Sequence, residues 1–275
     1  MSRFVFPPFP FPFPILPSNK PKTHVSTLSA ALTAAGATPV TEATYSFPAT
    51  TPQQFVALSS ILEGVGISAY LGAAAEIATK AYLTVAGSIL TVESRHSSYI
   101  RAALGESPFP KPFDTPLDFN QVYSLAAQFI TGFAEGAAAL PFMAFPPLLV
   151  AETKTGCYEA GSSTVTFTNA YSNAVSKNLV AVGTPIYAVF YSGLDTYYVL
   201  TTQQGNDLAA VIPGANAQTL APQGQVYVVL STASGAGGSD VGDENTISGV
   251  GVIEVGPVKG DASGGKKWWH SWSRW

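Results

Sequence analysis

Residues 55–74 read FVALSSILEGVGISAYLGAA, and residues 82–105 read YLTVAGSILTVESRHSSYIRAALG. Both stretches repeat apolar side chains at helical spacing, and Gly105 supplies a stop signal at the end of the second. We therefore predict two consecutive helices. The first begins after Thr50 or Thr51, and the second covers about residues 79–104.

Weaker helical patterns flank this pair. Residues 20–35 and about 119–131 carry apolar side chains at helical spacing. Between the helices we predict a linker over residues 39–48 and a proline-rich extended segment over residues 106–116, with a proline-punctuated apolar connector over residues 140–149. The sequence thus predicts a helical domain over residues 20–150.

From about Ser162 the apolar period changes to that of β-strands. Short β-branched and aromatic runs alternate with Gly, Pro, Asn and Asp, which is typical of an all-β domain of about seven strands. We predict an immunoglobulin-like sandwich over residues 162–256. The runs are STVTFT, PIYAVFYSG, TYYVLTT, AAVIP, QVYVVLS and GVGVIEV.

The two ends have biased composition. Residues 1–19, MSRFVFPPFPFPFPILPSN, have no clean signal-peptide pattern, and we expect a disordered Phe/Pro-rich arm. The arm has two interpretations, a polyproline-like docking segment or a translated intron end. Residues 257–275 are expected to form a disordered Trp/Lys-rich tail, with a membrane-interface anchor as the alternative.

Composition excludes several classes of function. The net charge is −4, so we expect no broad basic face for nucleic acid. No uninterrupted apolar run reaches 18 residues, so we predict no transmembrane segment. The single cysteine, Cys157, excludes an internal disulfide framework. With only 11% charged residues, the chain must bury much of its surface or meet a wall or a partner.

One constellation suits metal chemistry. Glu93 and His96 lie three residues apart in a predicted helix, so both side chains reach one point. Glu63 lies in the preceding helix, and a helical hairpin would bring it to the same place. Carboxylates with imidazole suit iron or manganese. The alternatives are a buried polar network that includes Arg95, or an exposed Glu and His.

The same two stretches resemble fungal ferritin-like proteins related to plant desiccation and stress proteins. The resemblance extends back through THVSTLSAALTAAGATPV at residues 23–40 and forward through YAVFYSGLDTYYVLTTQQG at residues 187–205. It covers roughly residues 22–256. It implies a ferritin-like four-helix bundle, a role in stress, and an extracellular or cell-wall location.

The resemblance also implies six metal ligands, and this chain keeps four of them. Glu63, Glu93, His96 and His24 occupy ligand positions, whereas Pro21 stands where a glutamate is expected. The family's first helix is missing, so the bundle is partial and the chain is N-terminally truncated or divergent. We expect no intact diiron centre.

The predicted function is therefore a stress-associated protein that is non-catalytic or weakly metal-binding. The cofactor would be iron or manganese, zinc if the site is mononuclear, or no metal at all. The alternative function is an extracellular or cell-wall module that acts through the aromatic-rich β-domain. Partners would then be a wall polysaccharide, or a second copy bound at the bundle face that the missing helix leaves exposed.

Overall fold

A computed structural model describes residues 20–135, 137, 139–151 and 157–256 of the chain. The Phe/Pro-rich arm and the Trp/Lys-rich tail lie outside the described residues. Contacts divide the chain into two compact units. The first contains the residues up to Ile100 together with Pro116–Met143, and the second contains Arg101–Thr115 together with the residues from Ala144 onward.

Four helices build the first unit: α1 (Lys20–Ala34), α2 (Pro52–Ala74), α3 (Lys80–Ala103) and α4 (Phe119–Ala127). Most of α3 belongs to this unit, and its residues from Arg101 onward group with the second. Helices α1 and α3 begin and end within about a residue of the predicted limits, and α2 begins where predicted. Their apolar patterns are long enough to fix these limits.

A capping box fixes the beginning of α2. The Gln54 N–H donates to Thr51 Oγ1, and the Thr51 N–H donates to Gln54 Oε1. Pro52 occupies the first turn, where its missing N–H leaves no hydrogen bond unmade. Of the described helices, α2 alone is long and apolar enough to cross a membrane, and 61% of its most apolar window is buried inside the protein.

The prediction for α4 was wrong at its C-terminal end. The helix ends at Ala127, and Ile130–Phe133 forms strand β2 instead. This strand pairs antiparallel with β1 (Ala43–Tyr45), inside the predicted linker. The ring of Phe47 stacks between Tyr45 and Phe129. A pairing so distant in sequence leaves no local signal, and helical spacing alone over-extends the helix.

Gly72 permits a close backbone approach in the first unit. The Leu117 N–H donates to the Ser68 carbonyl at 3.0 Å, which holds the segment before α4 against α2. A Cβ atom on Gly72 would collide with the carbonyl oxygen of Leu117. In contrast, a Cβ atom on Gly66 would meet nothing within 4 Å.

These two glycines give matched substitutions. We expect Gly72→Ala to destabilise the protein by roughly 1–3 kcal/mol, because the backbone of Leu117 must move. Gly66→Ala should stabilise it by about 0.5–1 kcal/mol through helix propensity. Urea unfolding of both variants measures the difference. Equal effects of the two substitutions would contradict the assigned role of Gly72.

The second unit consists mainly of β-structure. Its strands form a five-stranded sheet of order β3-β10-β9-β5-β6 and a three-stranded sheet of order β4-β8-β7. Neighbouring strands are antiparallel, except that β3 is parallel to β10. The elements are β3 (Tyr158–Glu159), β4 (Thr164–Phe167), α5 (Ala170–Ser176), β5 (Tyr187–Ser192), β6 (Asp195–Leu200), β7 (Thr202–Gln204), β8 (Asp207–Val211), β9 (Gly224–Ser231) and β10 (Gly251–Gly256).

The prediction of a β-rich region is confirmed, since each of the six predicted runs contains a strand. The sequence did not predict the short strands β3 and β7 or helix α5. Buried side chains from both sheets and from α5 join one hydrophobic cluster. Its largest fully buried members include Phe167, Phe190, Ile212 and Leu230.

The proline-rich segment Arg101–Thr115 is held to the five-stranded sheet by buried charges. Arg101 donates to both carboxylate oxygens of Glu254, at 2.7 and 3.1 Å, and lies 3.2 Å from Glu106. The Lys111 ammonium donates to the Gln225 carbonyl at 2.8 Å. Burial lowers the pKa of Lys111 to about 8, although Asp114 and Glu254 oppose this shift. This segment therefore packs as part of the β-rich unit.

We expect Glu254→Gln to lower the free energy of unfolding by roughly 3 kcal/mol, because it removes the bidentate partner of the buried Arg101. Urea denaturation checks this value. Glu244→Gln is the matched control, since Glu244 is exposed and its change should stay within about 0.5 kcal/mol. If the two variants unfolded alike, the buried ion pair would not be holding the segment.

Candidate metal centre

Three helices position the predicted ligands. Helices α2 and α3 are joined by only residues 75–79, so they form a hairpin. Glu63 lies roughly three turns before the end of α2, and Glu93 roughly three and a half turns after the beginning of α3. The two glutamates therefore reach the same level of the hairpin. His96 follows Glu93 by one helical turn on the same face.

Glu93 is the centre of the group. Its Oε2 lies 3.2 Å from the Nδ1 atom of His96, and its Oε1 lies 3.2 Å from the Nδ1 atom of His24 on α1. His96 Nδ1 also lies 3.4 Å from Glu63 Oε2. Ligand atoms of Glu63, Glu93 and His96 all lie within 4.8 Å of one another. The structure thus brings all four predicted site residues together.

The group is buried unevenly. Glu63 is 5% exposed, while the side chains of Glu93, His96 and His24 are 19–25% exposed. Burial raises the pKa of Glu63 to about 9, and the charge of Glu93 and a hydrogen bond with it add to the rise. Glu63 therefore keeps its proton at neutral pH when no cation is near. An entering cation would have to displace that proton.

Tyr70 is a neighbour of Glu93. From the sequence it was assigned to the apolar face of α2 and not to the metal-binding group. Burial raises its pKa, and the charge of Glu93 raises it further. Tyr70 lies two helical turns after Glu63, on the same face of α2. That spacing is the signal that would have assigned it to the group.

Two other positions that the sequence analysis singled out add no ligand to the group. Arg95 is exposed, so a buried polar network containing it does not form. Position 21 carries proline, whose ring has no ligand atom. Within the described residues, only one group of three or more His, Cys, Asp or Glu side chains is close enough together to hold a metal ion. It consists of Glu63, Glu93 and His96.

The donor chemistry fits one cation. Two carboxylates and two imidazoles are ligands that zinc, iron and manganese accept. Among the described residues, no Lys or Arg forms an ion pair with Glu63 or Glu93. Within the part of the chain that the structure describes, Glu63 and Glu93 therefore lack a fixed positive charge that a metal ion would supply.

Residues 18–106 match the model of the ferritin-like domain family. The match contains α1, α2 and α3, and with them all four residues of the group. It confirms the resemblance at the level of a ferritin-like domain. No curated protein matches the chain. The ferritin-like helical domain thus precedes a β-rich region.

The raised pKa of Glu63 predicts how the metal-free protein responds to pH. The folded state keeps a proton up to about pH 9 that the unfolded chain releases near its ordinary pKa of 4.5. Stability should therefore fall as pH rises through this window, by up to about 1.4 kcal/mol per pH unit. Glu63→Gln removes the titrating group, so its stability should fall less steeply.

At pH 7 and in the presence of a chelator, we expect Glu63→Gln to be more stable than the natural chain by roughly 1–3 kcal/mol. Urea unfolding at several pH values measures both effects. Glu76→Gln, an exposed change on α2's C-terminal side, should leave the pH profile unaltered. A Glu63→Gln profile parallel to that of the natural chain would show that the carboxyl group titrates normally.

Proposed function

We propose that the ferritin-like domain binds a single divalent metal ion through Glu63, Glu93, His96 and His24. The observation that carries this proposal is the buried Glu63 beside the partly exposed Glu93, held next to two imidazoles with no Lys or Arg ion partner among the described residues. Keeping two carboxyl groups in such a place is unfavourable unless one is protonated or a cation lies between them. Structural rigidity alone does not require that arrangement.

The number of ligands supports one ion rather than two. A bridged pair of metals needs more carboxylates than Glu63 and Glu93 provide, and Pro21 stands where another is expected. Four ligands of this kind suit zinc, and iron or manganese share the preference for carboxylate and imidazole. When bound, the ion would supply fixed positive charge. Glu63 would release its proton, and Glu93 would keep both imidazoles oriented.

We further propose that the protein is non-catalytic and belongs to the stress-associated, desiccation-related branch of ferritin-like proteins of fungi, acting outside the cell or in its wall. The sequence resemblance supports this narrower assignment. A mononuclear site with no further carboxylate among the residues that the structure describes supports a binding or structural role, because paired-metal oxygen chemistry requires a fuller ligand set.

For the β-rich unit we propose an immunoglobulin-like sandwich. The order β4-β8-β7 corresponds to strands B, E and D, and the order β10-β9-β5-β6 corresponds to G, F, C and C′. The shared hydrophobic cluster supports two facing layers. Carbohydrate binding by strand aromatics gains less support, because Phe190, Tyr197 and Tyr227 are buried and Tyr187, Tyr191 and Tyr198 are half-buried.

Metal titration of the full chain tests the proposal. We expect one Zn²⁺ or Mn²⁺ per chain by elemental analysis after dialysis, and at least about tenfold weaker binding in Glu63→Gln and His96→Ala by calorimetry. Glu76→Gln should bind as the natural chain does, because this carboxylate is exposed and distant in sequence. Binding should release a proton at pH 7, seen as a dependence of the measured heat on the buffer.

Two results would overturn the proposal. Two ions bound per chain would show that further ligands complete a dimetal centre. Metal content equal to that of His96→Ala would show that the buried group is a polar network only.

A further inference from the structure

Four apolar side chains are exposed at one end of the β-rich unit. Phe109, Phe113, Leu194 and Leu220 have exposures of 77%, 57%, 66% and 61%. We call this set the end patch. Two of its members come from the segment Arg101–Thr115, and the other two come from the sheet connections.

Hydrogen bonds and packing bring the members of the end patch to one place. The Gly193 N–H donates to Thr115 Oγ1 at 2.8 Å, and a Cβ atom on Gly193 would lie 3.3 Å from the carbonyl oxygen of Phe113. Leu194 is the next residue in the turn between β5 and β6. The Tyr197 hydroxyl, near the beginning of β6, donates to the carbonyl oxygen of Leu220.

The residue that follows Phe109 in the chain lies against the first residue of β9. A Cβ atom on Gly224 would collide with the ring of Pro110, the residue that follows Phe109. Strand β9 begins at Gly224, and Tyr191 near the end of β5 pairs with Tyr227. The start of β9 and the end of β5 therefore meet at this end of the sheet, where the end patch lies.

The chain leaves the β-rich unit at the same place. Strand β10 ends at Gly256, and its Val255 pairs with Gly224. The last described strand therefore ends near the Pro110 ring and the end patch. Residues 257–267 can extend about 35 Å, which is more than enough to bring the following residues back over the patch.

The residues beyond Gly256 have the composition that such a patch would bind. The four tryptophans of the chain are Trp268, Trp269, Trp272 and Trp275. Lys266, Lys267 and Arg274 accompany them. Next to Phe113 and Leu194 stand two acidic residues, the exposed Asp114 and the half-buried Asp195. The tail thus contains apolar rings and basic groups, and the end patch with its neighbours contains apolar and acidic groups.

We propose that the tail, residues 257–275, folds back and docks its tryptophans onto the end patch of its own chain. Burial of large aromatic rings against exposed Phe and Leu side chains would drive the contact. The short path from Gly256 makes it intramolecular, which raises the effective concentration of the tail at the patch. The tail would then act as a cap on this end of the β-rich unit.

Tryptophan fluorescence tests the docking directly, because every tryptophan of the chain lies in the tail. The full-length protein is compared with a synthetic peptide of residues 257–275. We expect the protein to emit at shorter wavelength than the peptide and to be quenched less by acrylamide. Both differences should be lost in Phe113→Ser and Leu194→Ser, whose side chains are exposed and not needed for the core.

Leu200→Ser is the matched control. Leu200 is 58% exposed, like the patch residues. It lies at the end of β6, whereas Leu194 lies in the turn before that strand begins. This variant should keep the emission and quenching of the natural chain. Circular dichroism of all three variants confirms that the sheets remain folded.

Several results would overturn the proposal. If the full-length protein has the same emission wavelength and the same quenching by acrylamide as the peptide, the tail does not dock on its own chain. The same holds if emission moves to shorter wavelength only on addition of phosphatidylserine vesicles, which would identify a lipid-binding tail. Emission that depends on protein concentration, with elution as a dimer, would identify a second copy as the partner.

Discussion

The close approach of the buried Glu63 to the partly exposed Glu93 is the constraint on which the helical unit depends. Two carboxyl groups can share a buried place only if one is protonated or if a cation compensates them. Here the surroundings favour the protonated state of Glu63, since burial raises its pKa to about 9. The helices therefore hold the two carboxyl groups where a positive charge between them is favoured.

The hairpin of α2 and α3 explains why the pair meets at all. The short connection over residues 75–79 sets the two helices level, and the capping box at Thr51 fixes where α2 begins. Gly72 then lets the segment before α4 approach α2 closely, as its missing Cβ allows. These local features have no metal chemistry of their own, but they fix the limits and the neighbours of the helices that carry Glu63 and Glu93.

The sequence predicted the parts of this arrangement that are local. Glu93 and His96 follow from helical spacing, and Glu63 follows from the hairpin that the two apolar patterns imply. His24 came only from the family resemblance, because a single histidine near the beginning of a weak helix carries no pattern. Tyr70 was assigned to the apolar face of α2, because an aromatic residue among apolar side chains usually belongs to the hydrophobic core.

The failures share a different physical cause. The pairing of β1 with β2 joins residues 43–45 to residues 130–133, and no local pattern reports so distant a partner. Likewise, the charges of Arg101 gave no sign that Glu254 would bind them. The sequence analysis placed residues 106–116 in the helical domain as an extended segment, whereas the structure groups Arg101–Thr115 with the β-rich unit.

A second pair of neighbouring acidic side chains, also within the described residues, bears on the metal interpretation. Glu106 and Glu254 also lie close together, but Arg101 pairs with both. Burial and the charge of Glu254 raise the pKa of Glu106 to about 7, and Arg101 opposes that rise. In the helical unit, the carboxyl groups have imidazoles beside them instead of a guanidinium. There the pKa of Glu63 rises further, to about 9. A fold that needed only a stable polar contact could have used arginine in both places. The choice of histidine, which binds metal ions when neutral, is what a cation site requires.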